Sequence, residues 1–149
     1  MANGVTFSIK GLATLQAKFG KMTPHVIEGL KTGINKATAV VERDAKNVVP
    51  VDTGTLRNSI HARPAKHDEK SVYGSVYTNT AYAMFVEFGT GVRGNGSYPY
   101  DTKLTLAYGG TPGQVAQPFL GRALHQREKD IHVIVSKAVK AAIGGASNV

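Results

Sequence analysis

Apolar residues recur along this chain in two different periods. In "VTFSI", Val5, Phe7 and Ile9 alternate with polar neighbours, the period-two pattern of a strand with one buried face. A short helix over Leu12–Phe19 is expected next. "TPHVIEGLKTGINKATAVVERDAKNVV" then carries Ile27, Leu30, Ile34, Ala37, Val41, Ala45 and Val48 at steps of three and four. That spacing lays one apolar stripe along a helix roughly 35 Å long at about 1.5 Å per residue. Thr23 is placed to cap this helix and Pro24 to open it. Pro50 cannot continue it and disfavours α conformation in the residue before, so the helix is expected to end near Val48.

"SIHARPAK" and "SVYGSVYTN" read as two strands of a hairpin around the polar turn "HDEK". Pro64 confines the first of them to a sheet edge or a bulge. "AYAMFVEFGTG" is too short for its period to separate helix from strand. Gly89 to Gln117 is rich in glycine and turn residues, and a loop of this length inside a domain is usually functional or mobile. Within it Leu104, Leu106 and Tyr108 alternate as in a further strand. "PFLGRALHQREKDIHVIVSKAVKAAIGG" opens at Pro118, closes at Gly144-Gly145 and carries Leu120, Leu124, Ile131, Val135, Ala138 and Ala142 on one face. Arg127 is the charge that interrupts this stripe. No internal repeat and no linker divides the chain. The expected architecture is one α+β domain over residues 1–149: a small antiparallel sheet of three to four strands packed by two long helices, with a long Gly-rich loop.

Composition narrows the function more than the fold. A chain of 149 residues can bury about 68–70% of its unfolded surface around a single core. The 18 Lys and Arg against 10 Asp and Glu leave a net charge of +8, which favours polyanionic neighbours. Cysteine is absent, so disulfides, thiolate metal sites and cysteine nucleophiles are excluded and a reducing compartment is expected. The start, "MANGVTFSIKG", has neither a basic nor an apolar leader region, and no window approaches the roughly 18 apolar residues of a membrane span. A soluble protein made in the cytosol is expected.

Several fragments invite chemical readings. "VDTGT" contains Asp52-Thr53-Gly54, the tripeptide of an aspartic protease. Such an enzyme needs two carboxylates about 3 Å apart sharing a proton on an all-β scaffold, so one copy per chain demands a dimer. Here the tripeptide follows a long helix. Asp52 or Thr53 is expected to accept hydrogen bonds from the next turn, Gly54 to relax the backbone, and Leu56 and Ile60 to pack. "GTGVRGNG" has neither the P-loop nor the dinucleotide-fold spacing. His125, Glu128 and His132 lie about one turn apart on a charged face and read as solvated surface ahead of a metal site. No Gly-x-Ser-x-Gly elbow is present. No catalytic, cofactor or metal site is expected.

Three phrases in order carry more weight than any of these: "VPVDTGTLRNSI", "YAMFVEFGTG" and "AQPFLGRAL". In that order the chain resembles the head-tail joining family of long-tailed bacteriophages, also called neck or tail-completion proteins, from about Pro24 to the last helix. The resemblance implies a non-enzymatic α+β virion protein made in the bacterial host cytoplasm. It implies a ring, most often of six copies, between the head connector or stopper and the tail tube or tail terminator, with duplex genome DNA passing non-specifically through its centre. By motif, Asp52, Thr53, Gly54 and Leu56 match the turn after the long helix. Tyr82, Glu87, Phe88, Gly89 and Thr90 match the central phrase, and Pro118, Phe119 and Leu120 match the start of the last helix. All are expected to set the fold.

Glu87 stands between apolar Val86 and Phe88, and a carboxylate drawn out of water needs a partner. Arg57 and Arg122 are the expected partners if Glu87 faces inward; the alternative is that it faces solvent. The family pattern is often short between its second and third phrases, whereas Gly91 to Gln117 is a sizeable insertion here. Its Arg93, Tyr98, Tyr100, Lys103 and Tyr108 form an expected interaction loop, since tyrosines supply contact area at small entropic cost. The positive charge suits a channel that touches phosphates without reading bases, and acidic connector surfaces would attract it equally. Two alternatives stay open: an independent basic nucleic-acid-binding module, which an aromatic content of 7% does not favour, and the dimeric aspartic protease.

Overall fold

The computed structural model describes residues 6–10, 24–69, 71–101 and 112–146. The expected helix at Leu12–Phe19, the cap at Thr23, and Lys103, Leu104, Leu106 and Tyr108 lie outside them. The first strand is β1, Thr6–Lys10. Helix α1 runs Pro24–Val48, opening on its proline and ending two residues before Pro50 as the backbone chemistry requires. A single turn, α2 (Thr55–Asn58), leads into the hairpin of β2 (Ile60–His67) and β3 (Val72–Thr78). Two short helices follow, α3 (Ala83–Phe88) and α4 (Gly91–Gly94), and then α5, Leu120–Ala146. The α+β class expected from the pattern is what the chain adopts, and the ambiguous "AMFVEF" resolves as helix.

The sheet is antiparallel in the order β1-β3-β2. On β3, Val72, Gly74, Val76 and Thr78 are buried while Tyr73, Ser75 and Tyr77 are half-buried on the other face. The register shifts between Arg63 and Lys66, so Pro64 occupies a bulge on an edge strand, where its missing N–H costs no ladder bond. The edge of β2 is closed from α1. The Ala62 N–H donates to Glu42 Oε2 at 2.9 Å and the Ala65 N–H to Asn35 Oδ1 at 2.7 Å, which removes donors that another strand would otherwise pair with.

The core lies where α1 covers the sheet and α5 covers α1. Leu30, Ile34, Ala37, Val41 and Ala45 form the buried stripe of α1. Leu120, Ala123, Ile131 and Val139 of α5, with Phe119 just ahead of the helix, complete the core. Contact is closest at small residues: a Cβ built on Gly29 would stand 2.6 Å from Ala142 Cβ, and one on Gly33 only 2.9 Å from the Val135 Cα. Among the described residues no helix is long and apolar enough to cross a membrane.

Arg127, the charge that interrupts the α5 stripe, reaches across to α1. Its Nε donates to Asp44 and its Nη1 to Asp130 Oδ2 at 2.7 Å. Burial alone would push the Asp44 carboxyl up, but hydrogen bonds from Arg127 and Arg43 overcome it and hold the pKa below the usual aspartate value. A depressed carboxyl stabilises the fold above its unfolded-state pKa, and that contribution disappears as pH falls through the folded-state value. Because the pair is partly exposed, its effect is small. Asp44→Asn is therefore expected to lower the urea midpoint slightly at pH 7, with the gap to wild type closing below pH 4. A constant gap across that range would show that charge is not the cause.

Candidate functional site

The three sequence phrases converge at one end of the helical pair, and Glu87 is the joint. In the short helix α3, Ala83 and Glu87 face inward, and Glu87 has no solvent exposure at all. Its carboxylate sits on the first turn of α5, where backbone N–H groups have no helical partner. Oε2 accepts from the N–H groups of Phe119 at 2.8 Å and Leu120 at 3.0 Å. Oε1 accepts from the N–H of Gly121 at 2.8 Å and from the Tyr98 hydroxyl at 3.3 Å. The positive end of a long helix dipole and these donors together make a fitted anion seat. The anion is the protein's own side chain.

The expected partners of Glu87 are thereby corrected. Arg57 and Arg122 are both exposed. A guanidinium brought to this depth would lose its own hydration, whereas backbone donors at a helix start are there in any case and lack only an acceptor. Burial pushes the Glu87 pKa up, and the hydrogen bonds from Phe119, Gly121, Leu120 and Tyr98 pull against that without cancelling it. The Tyr98 hydroxyl is pushed up as well, by burial first and by the nearby Glu87 second.

Of the expected interaction-loop residues, Tyr98 is not at the surface. It is 2% exposed and its ring packs edge-on against Phe88 at 4.9 Å and Tyr100 at 5.5 Å between centroids. Tyr100 in turn lies against His125 at 5.0 Å. Of the remaining loop candidates, Arg93 and Tyr100 are exposed, and Lys103 and Tyr108 fall outside the described residues. The loop is tied down at both ends. Thr90 and Gln114 exchange backbone hydrogen bonds at 2.8 and 3.0 Å, Gln114 Nε2 donates to the Phe85 carbonyl at 2.9 Å, and the Gln117 N–H donates to the Val86 carbonyl at 2.8 Å.

The motif residues take part in this joint to different extents. Gly89 has φ 77 and ψ 177, a backbone state open essentially to glycine alone, and it turns the chain out of α3 into Thr90. Tyr82 precedes α3 and is 43% exposed. Phe119 and Leu120 are fully buried in the same cluster as Leu56 and Ala83, so the first phrase contributes the apolar anchor expected of it. Pro118 comes just ahead of α5. Asp52 does not cap α2: it is exposed, and the cap position is held by Gly54, which has no side chain to accept a bond. Thr53 Oγ1 accepts from the Thr55 N–H at 3.4 Å, a long contact. Ser59 secures the end of this phrase to β3, donating to the Leu56 carbonyl at 2.7 Å while sharing a bond with the Thr78 hydroxyl at 2.5 Å.

Sequence reasoning passed over Gly121 and Gln114. A Cβ on Gly121 would lie 2.2 Å from the Tyr98 hydroxyl and 2.9 Å from Glu87 Oε1. The glycine in "PFLGRAL" is the signal that something presses on that turn. Among the described residues no group of three or more His, Asp or Glu converges as a metal site would require.

This arrangement is one of shape: three phrases clamp a helix start. The chain belongs to the HK97-gp10-like family, described as "Bacteriophage HK97-gp10, putative tail-component", whose model matches residues 13–89. The match takes in the Asp-Thr-Gly and Glu-Phe-Gly phrases and fits the resemblance to head-tail joining proteins; Pro118, Phe119 and Leu120 lie beyond it. No curated protein and no solved structure matches the chain.

Proposed function

We propose that this chain is a structural virion protein of the phage neck, joining the head connector to the tail around the DNA channel. The observation that carries the reading is membership of a phage tail-component family over residues 13–89. On this reading copies of the chain form a ring, most often of six. Its neighbours are the head connector or stopper on one side and the tail tube or tail terminator on the other. A closed ring requires that one patch of each copy meet a different patch on the next.

The protein makes and breaks no bonds on this reading. Asp52 is exposed on a turn between helices, whereas the carboxylates of an aspartic protease sit on an all-β scaffold. Glu87, the buried carboxylate, is committed to the helix start through both oxygens. Deleting the reading frame from the parent phage is expected to leave filled heads and finished tails that fail to unite, seen by electron microscopy of the lysate. Normal particles would overturn the neck reading.

A further inference from the structure

The outer face of the β2–β3 hairpin brings basic and aromatic residues together. Opposite the buried residues of β3, Tyr73, Ser75 and Tyr77 face outward. Their register partners on β2 are Lys66, Arg63 and His61 in that order, all exposed. Arg63 lies over the Tyr77 ring, its guanidinium carbon 4.1 Å from the centroid, and the His61 ring tilts against the same tyrosine at 6.2 Å.

The bulge at Pro64 is what assembles this row. With strict alternation, residues 61, 63 and 65 would share one face and Lys66 would point into the core. The extra residue between Arg63 and Lys66 shifts the register, keeps Ala65 packed against the inner cluster and returns Lys66 to the outer face. Re-aiming a side chain is a recognised use of a bulge.

Several cations on the helices are paired with acids, though others, Lys36, Lys137 and Lys140 among them, are in no ion pair among the described residues. Lys31 pairs with Glu28, Lys46 with Glu42, Arg43 with Asp44, and Arg127 with Asp44 and Asp130. Among the described residues no carboxylate pairs with Arg63 or Lys66. Glu42 bonds to Lys46 and the Ala62 N–H and lies near His61, and Asp68 bonds to Ser71 within the hairpin turn. Arg63 and Lys66, both outside any ion pair and the first of them over an aromatic ring, suit a line of anions.

We propose that this sheet face, through Arg63, Lys66 and His61 with Tyr77 as platform, holds the phosphate backbone of duplex DNA without reading its sequence. The proposal deepens the neck reading and rests on it for its setting, since a channel protein needs a surface the genome can slide along. Its chemistry is tested apart from assembly.

The test is fluorescence anisotropy of a labelled 30-base-pair duplex of arbitrary sequence with the full chain between 50 and 200 mM salt. Arg63→Gln/Lys66→Gln is compared with Lys137→Gln/Lys140→Gln, which removes the same charge from exposed positions on α5. Each phosphate contact contributes roughly 0.9 to the slope of log K against log salt. The sheet pair is therefore expected to weaken binding about 10-fold at 50 mM and flatten the slope by about 2, with under 3-fold change for the helix pair and unchanged affinity for a second duplex sequence. Equal losses in both variants, an unaltered slope, or tighter binding to poly-glutamate than to DNA would overturn it, the last by assigning the face to an acidic protein surface. The deletion phenotype above is unaffected by any of these results, so failure here and failure of the neck reading are separable.

Discussion

Glu87→Gln is expected to lower the stability of this protein by roughly 2–4 kcal/mol, although it changes only one atom of a side chain with no solvent contact. The reason is a count of donors. Three backbone N–H groups and the Tyr98 hydroxyl all point at the two carboxylate oxygens. A carboxylate is acceptor-only and has room for about four such bonds, whereas an amide offers one oxygen and turns an NH2 toward the remaining donors. The amide oxygen can serve two N–H groups. The third N–H is left buried facing the amide NH2, at about 1–3 kcal/mol, while the Tyr98 hydroxyl can turn to accept from that NH2; the bonds that remain are also no longer charge-assisted. Tyr98→Phe is the control: it removes one weak donor at 3.3 Å, leaves the three N–H groups satisfied, and should cost about 1 kcal/mol or less. Urea unfolding of the two variants measures both. Equal, small losses would mean that the carboxylate does not hold the start of α5.

How far this joint could be read in advance depends on what its members look like in a sequence. The α1 stripe was readable because burial on a helix leaves a period, and Leu30, Ile34, Ala37, Val41 and Ala45 are the buried residues that the spacing predicts. Pro64 was readable because a missing N–H restricts a strand residue to few places. Glu87 was readable as an anomaly, a carboxylate between apolar neighbours, but its partners were not. Charge pairing directs attention to arginines, while the true donors are main-chain groups that every residue except proline possesses, so they leave no letter in the sequence. Only Pro118 and Gly121 bracket them, the one opening the helix and the other clearing space for the carboxylate. Tyr98 was misplaced for a related reason. In a stretch rich in glycine a tyrosine reads as surface, and nothing local discloses that its hydroxyl meets a residue eleven positions earlier.

Gly29 and Gly33 pose the opposite conflict, between local preference and packing, and the outcome is expected to go against local preference. In isolation each Gly→Ala change in a helix interior gains about 1 kcal/mol. Here the new methyl of Gly29→Ala would meet Ala142 Cβ at 2.6 Å, and that of Gly33→Ala the Val135 Cα at 2.9 Å. Backbone on the far side cannot rotate away, so α1 and α5 must move apart. Separating packed helices by even 0.5–1 Å forfeits a quarter to a half of each contact along the seam, where Leu30 and Ile34 lie against Val139 and Val135. Overpacking of this kind costs about 1–3 kcal/mol per site, so Gly29→Ala/Gly33→Ala together should destabilise by up to about 4 kcal/mol after a propensity gain of about 2 kcal/mol is subtracted. Gly144→Ala supplies the contrast. It sits in α5 with nothing within 4 Å of the added Cβ, so it should stabilise by a few tenths of a kcal/mol near the end of the helix. Thermal or urea unfolding that gave both variants the same sign would mean that the two helices are not in close backbone contact, and the placement of α5 across α1, on which the Glu87 joint depends, would have to change with it.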